Sequence, residues 1–168
     1  MTINDIQSER DRCRGDWLYF INEYVWVKNK FNNPDEIPEI LRQRCLGDMI
    51  KFVMYDIQVE LATAIFNDDK VISTKSRQIG FTTTALACAL FLLTFSNNKT
   101  VLLFSKTEKD AKETLTELKF MYDSLPFFLK RVELKRNEKE LVLGGRRNSS
   151  KIIAQTSGRQ SGRSQAAT

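Results

Sequence analysis

The chain has 168 residues, 42% of them hydrophobic, with 26 Lys and Arg against 21 Asp and Glu. That suits one domain with a real core, and a net charge of +5 admits a polyanionic partner without demanding one. The three cysteines are far apart and there is no histidine, which leaves no zinc spacing and fits a reducing compartment. The polar N-terminus is not a secretory signal, and the longest apolar run, 85–95, is too short to cross a bilayer.

In residues 1–33 the spacing of Trp17, Leu18, Phe20, Ile21, Tyr24 and Val25 predicts a helical segment with one apolar face. It reads as a lid packed on the main domain, with a partner-binding helix as the alternative. The prolines at 34 and 38 mark a loop. Residues 39–66 read as two short helices, the second placing Tyr55, Val59, Ala62, Ile65 and Phe66 near one face. Gln58 lies in that segment. Its amide donates and accepts together, as reading an adenine edge requires, while a solvated helix glutamine is the plainer reading.

After a turn at 67–70, residues 71–74 read as a strand. The loop Lys75-Ser76-Arg77-Gln78-Ile79-Gly80-Phe81-Thr82 follows, and then an apolar helix over 83–95. A basic, glycine-bearing loop between a strand and a helix N-terminus is the layout that binds phosphate, because backbone N–H groups and the helix dipole both favour an anion there. Residues 100–105 are an unbroken apolar run, which predicts a strand covered on both faces, as in a parallel sheet. Residues 71–105 therefore read as a βαβ unit with a right-handed crossover.

A further helix is predicted from the Ser105 or Thr107 cap to about Leu125, burying Ala111, Leu115, Leu118, Met121 and Tyr122. Its lysines and glutamates read as solvated surface with i,i+4 pairs. Short strands are expected at 132–134, 140–143 and 151–154, with a tight basic turn at 144–148. Residues 155–165, rich in Ser, Gly, Gln and Arg, read as a loop or a disordered tail.

The usual phosphate loop is G-x-x-x-x-G-K-[ST]. Alignment on Gly80 puts Thr82 at the hydroxyl that ligates Mg²⁺, Lys75 at the first glycine and Phe81 at the lysine. The cation that β,γ-phosphates require then comes from Lys75 or Arg77. The competing reading makes these two residues surface charges on an ordinary strand-to-helix turn.

With these pieces together, residues 17–168 resemble the N-terminal part of the ATPase domain of tailed-bacteriophage large terminase subunits. Ser76 to Thr83 is similar to that family's variant phosphate loop, S-R-Q-x-G-K-T, in the form where the lysine moves to the front, here Lys75. Tyr55-x-x-Gln58 resembles its adenine-binding motif. The strand 101–104, the helix ending at Leu125-Pro126, and the ladder of Asn137, Leu143-Gly144-Gly145 and Ile152-Ile153-Ala154 match its pattern. Ser161-Gly162-Arg163-Ser164 is similar to the Arg-Gly that precedes the family's acidic strand, with Ser164 in place of glycine.

The resemblance implies an α/β, RecA-like P-loop NTPase core with parallel βαβ, at 67–168, and a helical N-terminal lid at 1–66. It implies ATP and Mg²⁺ as cofactors. Gln58 reads adenine, while Ser76, Gln78, Ile79, Gly80, Phe81, Thr82 and Thr83 cradle phosphate and Thr82 ligates the metal. Lys75 and Arg77 neutralise charge, and Arg163 is the candidate that senses the γ-phosphate, its own or that of a neighbouring subunit in a ring. Double-stranded DNA, the capsid portal protein and the terminase small subunit are the implied partners, in the host cytoplasm and away from membranes. The strand ending Asp-Glu is expected beyond Thr168, as is the nuclease domain, so this stretch is expected to bind nucleotide with negligible turnover. A helicase-like ATPase and a non-enzymatic DNA- or motor-binding product are the alternatives.

Overall fold

The computed structural model describes residues 2–31, 37–68, 70–73 and 79–157. Its organising element is the apolar helix, which runs Phe81–Phe95 and starts two residues earlier than the sequence suggests. The early start comes from Gly80, whose φ of +71° makes the turn into the helix. Leu86, Ala87, Cys88, Ala89, Leu90 and Leu93 are all buried, as expected for a helix that is apolar on every side.

The N-terminal segment is two helices rather than one. α1 (Ile3–Gly15) and α2 (Trp17–Tyr24) meet at Asp16, whose N–H donates to the Arg12 carbonyl while its carboxylate accepts the Tyr19 N–H at 2.9 Å. Glu9 then ties the two together, accepting from the Tyr19 hydroxyl at 2.8 Å and the Tyr24 hydroxyl at 2.7 Å. β1 (Trp26–Lys28) follows, and then α3 (Glu39–Arg42), a single turn. β2 (Cys45–Leu46) and β3 (Met49–Lys51) form a hairpin around Gly47 and Asp48, giving a three-stranded antiparallel sheet in the order β1-β3-β2. The lid is thus not wholly helical, and 39–66 holds a hairpin where a helix was expected. Gly47, with φ of +60° in first place of a two-residue loop, turns the chain there. α4 (Asp56–Asn67) completes this part. Phe20, Phe66, Phe91 and Phe95 interlock, with ring centroids 5.1–5.8 Å apart, and seat α2 and α4 on the apolar helix, α5.

The expected strand at 71–74 is not formed over its described part. Residues 71–73 pair with no strand, and Ile72 is 96% exposed; Thr74 lies outside the described residues. The expected pairing beside 100–105 is therefore absent over 71–73. Instead β4 (Thr100–Ser105) pairs in parallel with β7 (Ser150–Thr156), in register from Thr100 with Lys151 to Ser105 with Thr156. The connection carries α6 (Glu108–Asp123) and the hairpin of β5 (Glu133–Asn137) and β6 (Glu140–Leu143), so the mixed sheet runs β4-β7-β6-β5. The molecule is α/β, with one antiparallel and one mixed sheet.

β4 also differs from expectation in its cover. Val101 and Leu103 join the core with Leu141, Leu143, Ile152 and Ala154, while Leu102 is half-buried and Phe104 is exposed. The face carrying Val101, Leu103, Ile152 and Ala154 meets the main core, while on the other face Ile153 is buried and Phe104 is exposed. α6 forms as expected, capped by Thr107 and burying the five residues its spacing assigned; Lys112 pairs with Glu108 at 3.4 Å and Lys109 with Glu113 at 3.9 Å.

Arg131, a residue with no sequence signal, joins the two ends of this arrangement. Its guanidinium donates to the Leu93 and Ser96 carbonyls at the end of α5, to Asn97 Oδ1 and to the Asn148 carbonyl in the β6–β7 turn.

Candidate functional site

The start of α5 lines one cavity with the first half of α6, the helix that follows β4 almost at once, and so lies near the carboxyl ends of β4 and its parallel partner β7. In open parallel sheets that end is where ligands bind. Ser157 stays beside it, with its N–H donating to the Ser105 carbonyl at 2.9 Å.

The first turn of α5 carries no side-chain cap. Gly80 stands at the N-cap position with no side chain to offer, whereas α1, α2 and α6 are capped by Thr2, Asp16 and Thr107. A helix begins with N–H groups that lack intrahelical acceptors, and an anion is a natural partner for them. Thr84 turns its hydroxyl back to the Gly80 carbonyl at 3.1 Å, while Thr82 is exposed.

Gln58 sets the approach to this turn. It is buried, and its Oε1 accepts the Tyr55 N–H at 3.0 Å while its Nε2 donates to the Ile79 carbonyl at 3.0 Å. One amide therefore caps α4 and holds the residue before Gly80. The structure brings Gln58, Ile79, Gly80, Phe81, Thr82 and Thr83 together. Lys75, Ser76, Arg77, Gln78 and Arg163 lie outside the described residues.

Two adjoining cavities open at this point. One, of about 380 Å³, is lined by Gly80, Phe81, Thr82 and Thr83, by Asp110, Glu113, Thr114 and Glu117 of α6, and by Lys30. The other, of about 520 Å³, has a mainly apolar wall that includes Val27, Phe31, Ile50, Phe52 and Tyr55, and shares Lys30, Thr83 and Glu117 with the first. A polar chamber at a helix N-terminus, acidic along its α6 wall, beside an apolar one suits a ligand whose anionic end carries a divalent cation and whose other end is flat and apolar.

Compared with known proteins, the chain matches no family model and no curated protein.

The two cavities also show what sequence reasoning missed. Lys30 Nζ lies 2.6 Å from Glu117 Oε1, a pair that bridges the lid and α6 at the mouth of both cavities. The two residues are 87 positions apart, and neither belongs to a motif, so no local signal marked them. No group of three or more His, Cys, Asp or Glu side chains suited to a metal ion occurs among the described residues. Cys88, buried in α5, has its thiol pushed up to about 12 by desolvation, which makes it packing material rather than a nucleophile.

Proposed function

We propose that this chain is the nucleotide-binding part of a DNA-packaging ATPase similar to the large terminase subunits. The observation that carries the reading is the start of α5. Its first turn, entered through a left-handed Gly80 that brings no side chain of its own and held by Gln58, faces a cavity next to an apolar chamber.

In this reading backbone N–H groups at the start of α5 would hold phosphate oxygens, and the Thr82 hydroxyl would help hold the accompanying magnesium, which would neutralise phosphate charge. The apolar chamber beside Tyr55 receives the base. Gln58 fixes the exit of the phosphate loop, and its remaining amide hydrogen is the group left for an adenine edge. Lys75 and Arg77 complete the charge balance, and Arg163 completes the site from a neighbouring subunit of a ring. The bound triphosphate supplies the γ-phosphoryl group whose hydrolysis drives DNA movement. Double-stranded DNA, the portal protein and the small subunit are the partners this assigns, and the host cytoplasm the place.

The test is calorimetric titration of the purified chain with Mg²⁺-ATP, Mg²⁺-ADP and Mg²⁺-GTP, alongside a phosphate-release assay. The expected result is ATP and ADP binding, weaker GTP binding and negligible turnover, with Thr82→Ala weakening ATP binding in the presence of magnesium more than in its absence. A chain that binds no nucleotide overturns the proposal. Salt-sensitive DNA binding indifferent to ATP would then favour the non-enzymatic reading.

A further inference from the structure

Position 81, where the phosphate loop usually carries its lysine, is phenylalanine, and it forms the first residue of α5. Among the described residues lining the cavity at that helix start, the basic side chain is Lys30, from the lid. Its backbone is fixed on both sides. The Asn29 N–H donates to the Asp48 carbonyl at 2.7 Å, and the Phe31 N–H donates to Asn29 Oδ1 at 2.9 Å. β1, two residues earlier, is pinned to β3 from Trp26 to Lys28. The lid thus delivers an ammonium group to the same cavity that Gly80, Phe81, Thr82 and Thr83 line, and Glu117 receives it there at 2.6 Å.

We propose that Lys30 is a phosphate-contacting cation supplied from the N-terminal part in addition to those of the loop itself, held by Glu117 until a polyphosphate takes it. The inference rests on the nucleotide reading above. The exchange is physically cheap. Lys30 is 76% exposed at its side chain and Glu117 39%, and an exposed pair of this kind contributes little. A polyphosphate at a helix N-terminus offers several charged oxygens in a fixed place, and hydrogen bonds from an ammonium to such oxygens are among the strong ones.

Glu117, Asp110 and Glu113 make the α6 wall of this cavity acidic. That wall disfavours a bare anion and favours a polyphosphate already carrying a divalent cation. Glu117 therefore has two effects: it parks Lys30, and it selects against metal-free nucleotide.

The experiment titrates Mg²⁺-ATP and metal-free ATP into the full chain and its Lys30→Ala, Lys30→Gln, Lys30→Arg and Glu117→Gln variants, with thermal melts to confirm folding. Lys30→Ala and Lys30→Gln should each weaken Mg²⁺-ATP by about tenfold to a hundredfold, the worth of one charge-assisted hydrogen bond. Lys30→Arg should restore part of the loss, since it keeps the charge. Glu117→Gln should match or exceed the original affinity and shrink the advantage of Mg²⁺-ATP over metal-free ATP. If Lys30 only latches the lid, Lys30→Ala and Glu117→Gln weaken ATP alike, and the inference is overturned. Lys30→Ala and Lys30→Gln binding as the unsubstituted chain does would overturn it too, leaving the nucleotide reading intact. An unsubstituted chain that binds no ATP overturns both.

Discussion

The side-chain amide of Gln58 occupies the space that a Cβ on residue 80 would fill, so a side chain at Gly80 and the Gln58–Ile79 hydrogen bond exclude one another. Gly80 also sits at φ +71°, where a non-glycine residue is strained by about 1–2 kcal/mol. Gly80→Ala should therefore act twice. It should lower the melting temperature, and it should weaken nucleotide binding beyond what the melt accounts for, because the amide that holds Ile79 is displaced. Gln58→Ala, with the glycine kept, should cost about 1–3 kcal/mol by leaving the Ile79 carbonyl and Tyr55 N–H unpaired. Chemical denaturation and ATP titration of the two variants separate these effects. Gly80→Ala with native stability and affinity would contradict the arrangement.

A second exclusion lies at the other end of α5. Arg131 donates to four acceptors there, and a Cβ at Gly144, where φ is +120°, would come within 2.5 Å of its Nη2. Burial lowers the Arg131 pKa, so the guanidinium depends on these partners. Arg131→Ala should cost about 2–4 kcal/mol, since the carbonyls that terminate α5 lose their donor. Arg131→Lys should recover little, because one ammonium cannot span the fork. Gly144→Ala should destabilise as well, and an Arg131→Ala, Gly144→Ala pair should cost less than the sum of the two. Urea unfolding measures all three. Additive losses would show that the residues do not share this contact.

The contrast between 71–74 and 100–105 shows where sequence reasoning succeeds and stops. Both runs have strand-forming residues, but a strand is stabilised by its cross-strand neighbours rather than by propensity alone. Residues 100–105 find a partner in β7, and residues 71–73 find none among the described residues. No local pattern encodes which segment will supply that partner. The same limit hid the hairpin at 45–50, whose strands are too short to show alternation, and the Lys30–Glu117 pair, whose members meet only once the lid is packed on α6. What was legible was local: the α5 and α6 faces, the Thr107 cap, and the glycine at the start of α5, each fixed by spacing within a few residues.

Acid should loosen the lid and the α6–β5 corner. Tyr24 and Tyr19 donate to Glu9 and hold its pKa below the usual carboxylate value. Arg136 does the same for Asp123, through bonds of 2.6 and 2.7 Å. A depressed carboxylate contributes stability above its unfolded pKa, about 4 for these groups, and loses it as the pH falls through the lower folded value. The melting temperature should stay level from pH 7 to about 5 and fall below about 4. Asp123 is half exposed, so its share is at most about 1 kcal/mol. Glu9→Gln should lower the melt at pH 7 and flatten its acid limb. An acid limb as steep as that of the unsubstituted chain would remove Glu9 from the account.

Phe81 allows the alignment of the loop to be tested directly. It is half-buried at the first position of α5 and lines the same cavity as Thr82 and Lys30. A lysine there would lose ring burial worth roughly 1–2 kcal/mol and place a cation against the positive end of a helix, a further cost of about 0.3–1 kcal/mol. Phe81→Lys should therefore melt lower in the absence of nucleotide. With Mg²⁺-ATP the sign should reverse, because the same ammonium meets phosphate. The gain in affinity should be larger in the Lys30→Ala background, where the cavity has lost its lid cation, than in the original chain, where the two cations would compete for one anion. A double-mutant cycle on ATP affinity measures that difference. If Phe81→Lys raises affinity in neither background, residue 81 does not face the phosphates, and the alignment on Gly80 fails with it.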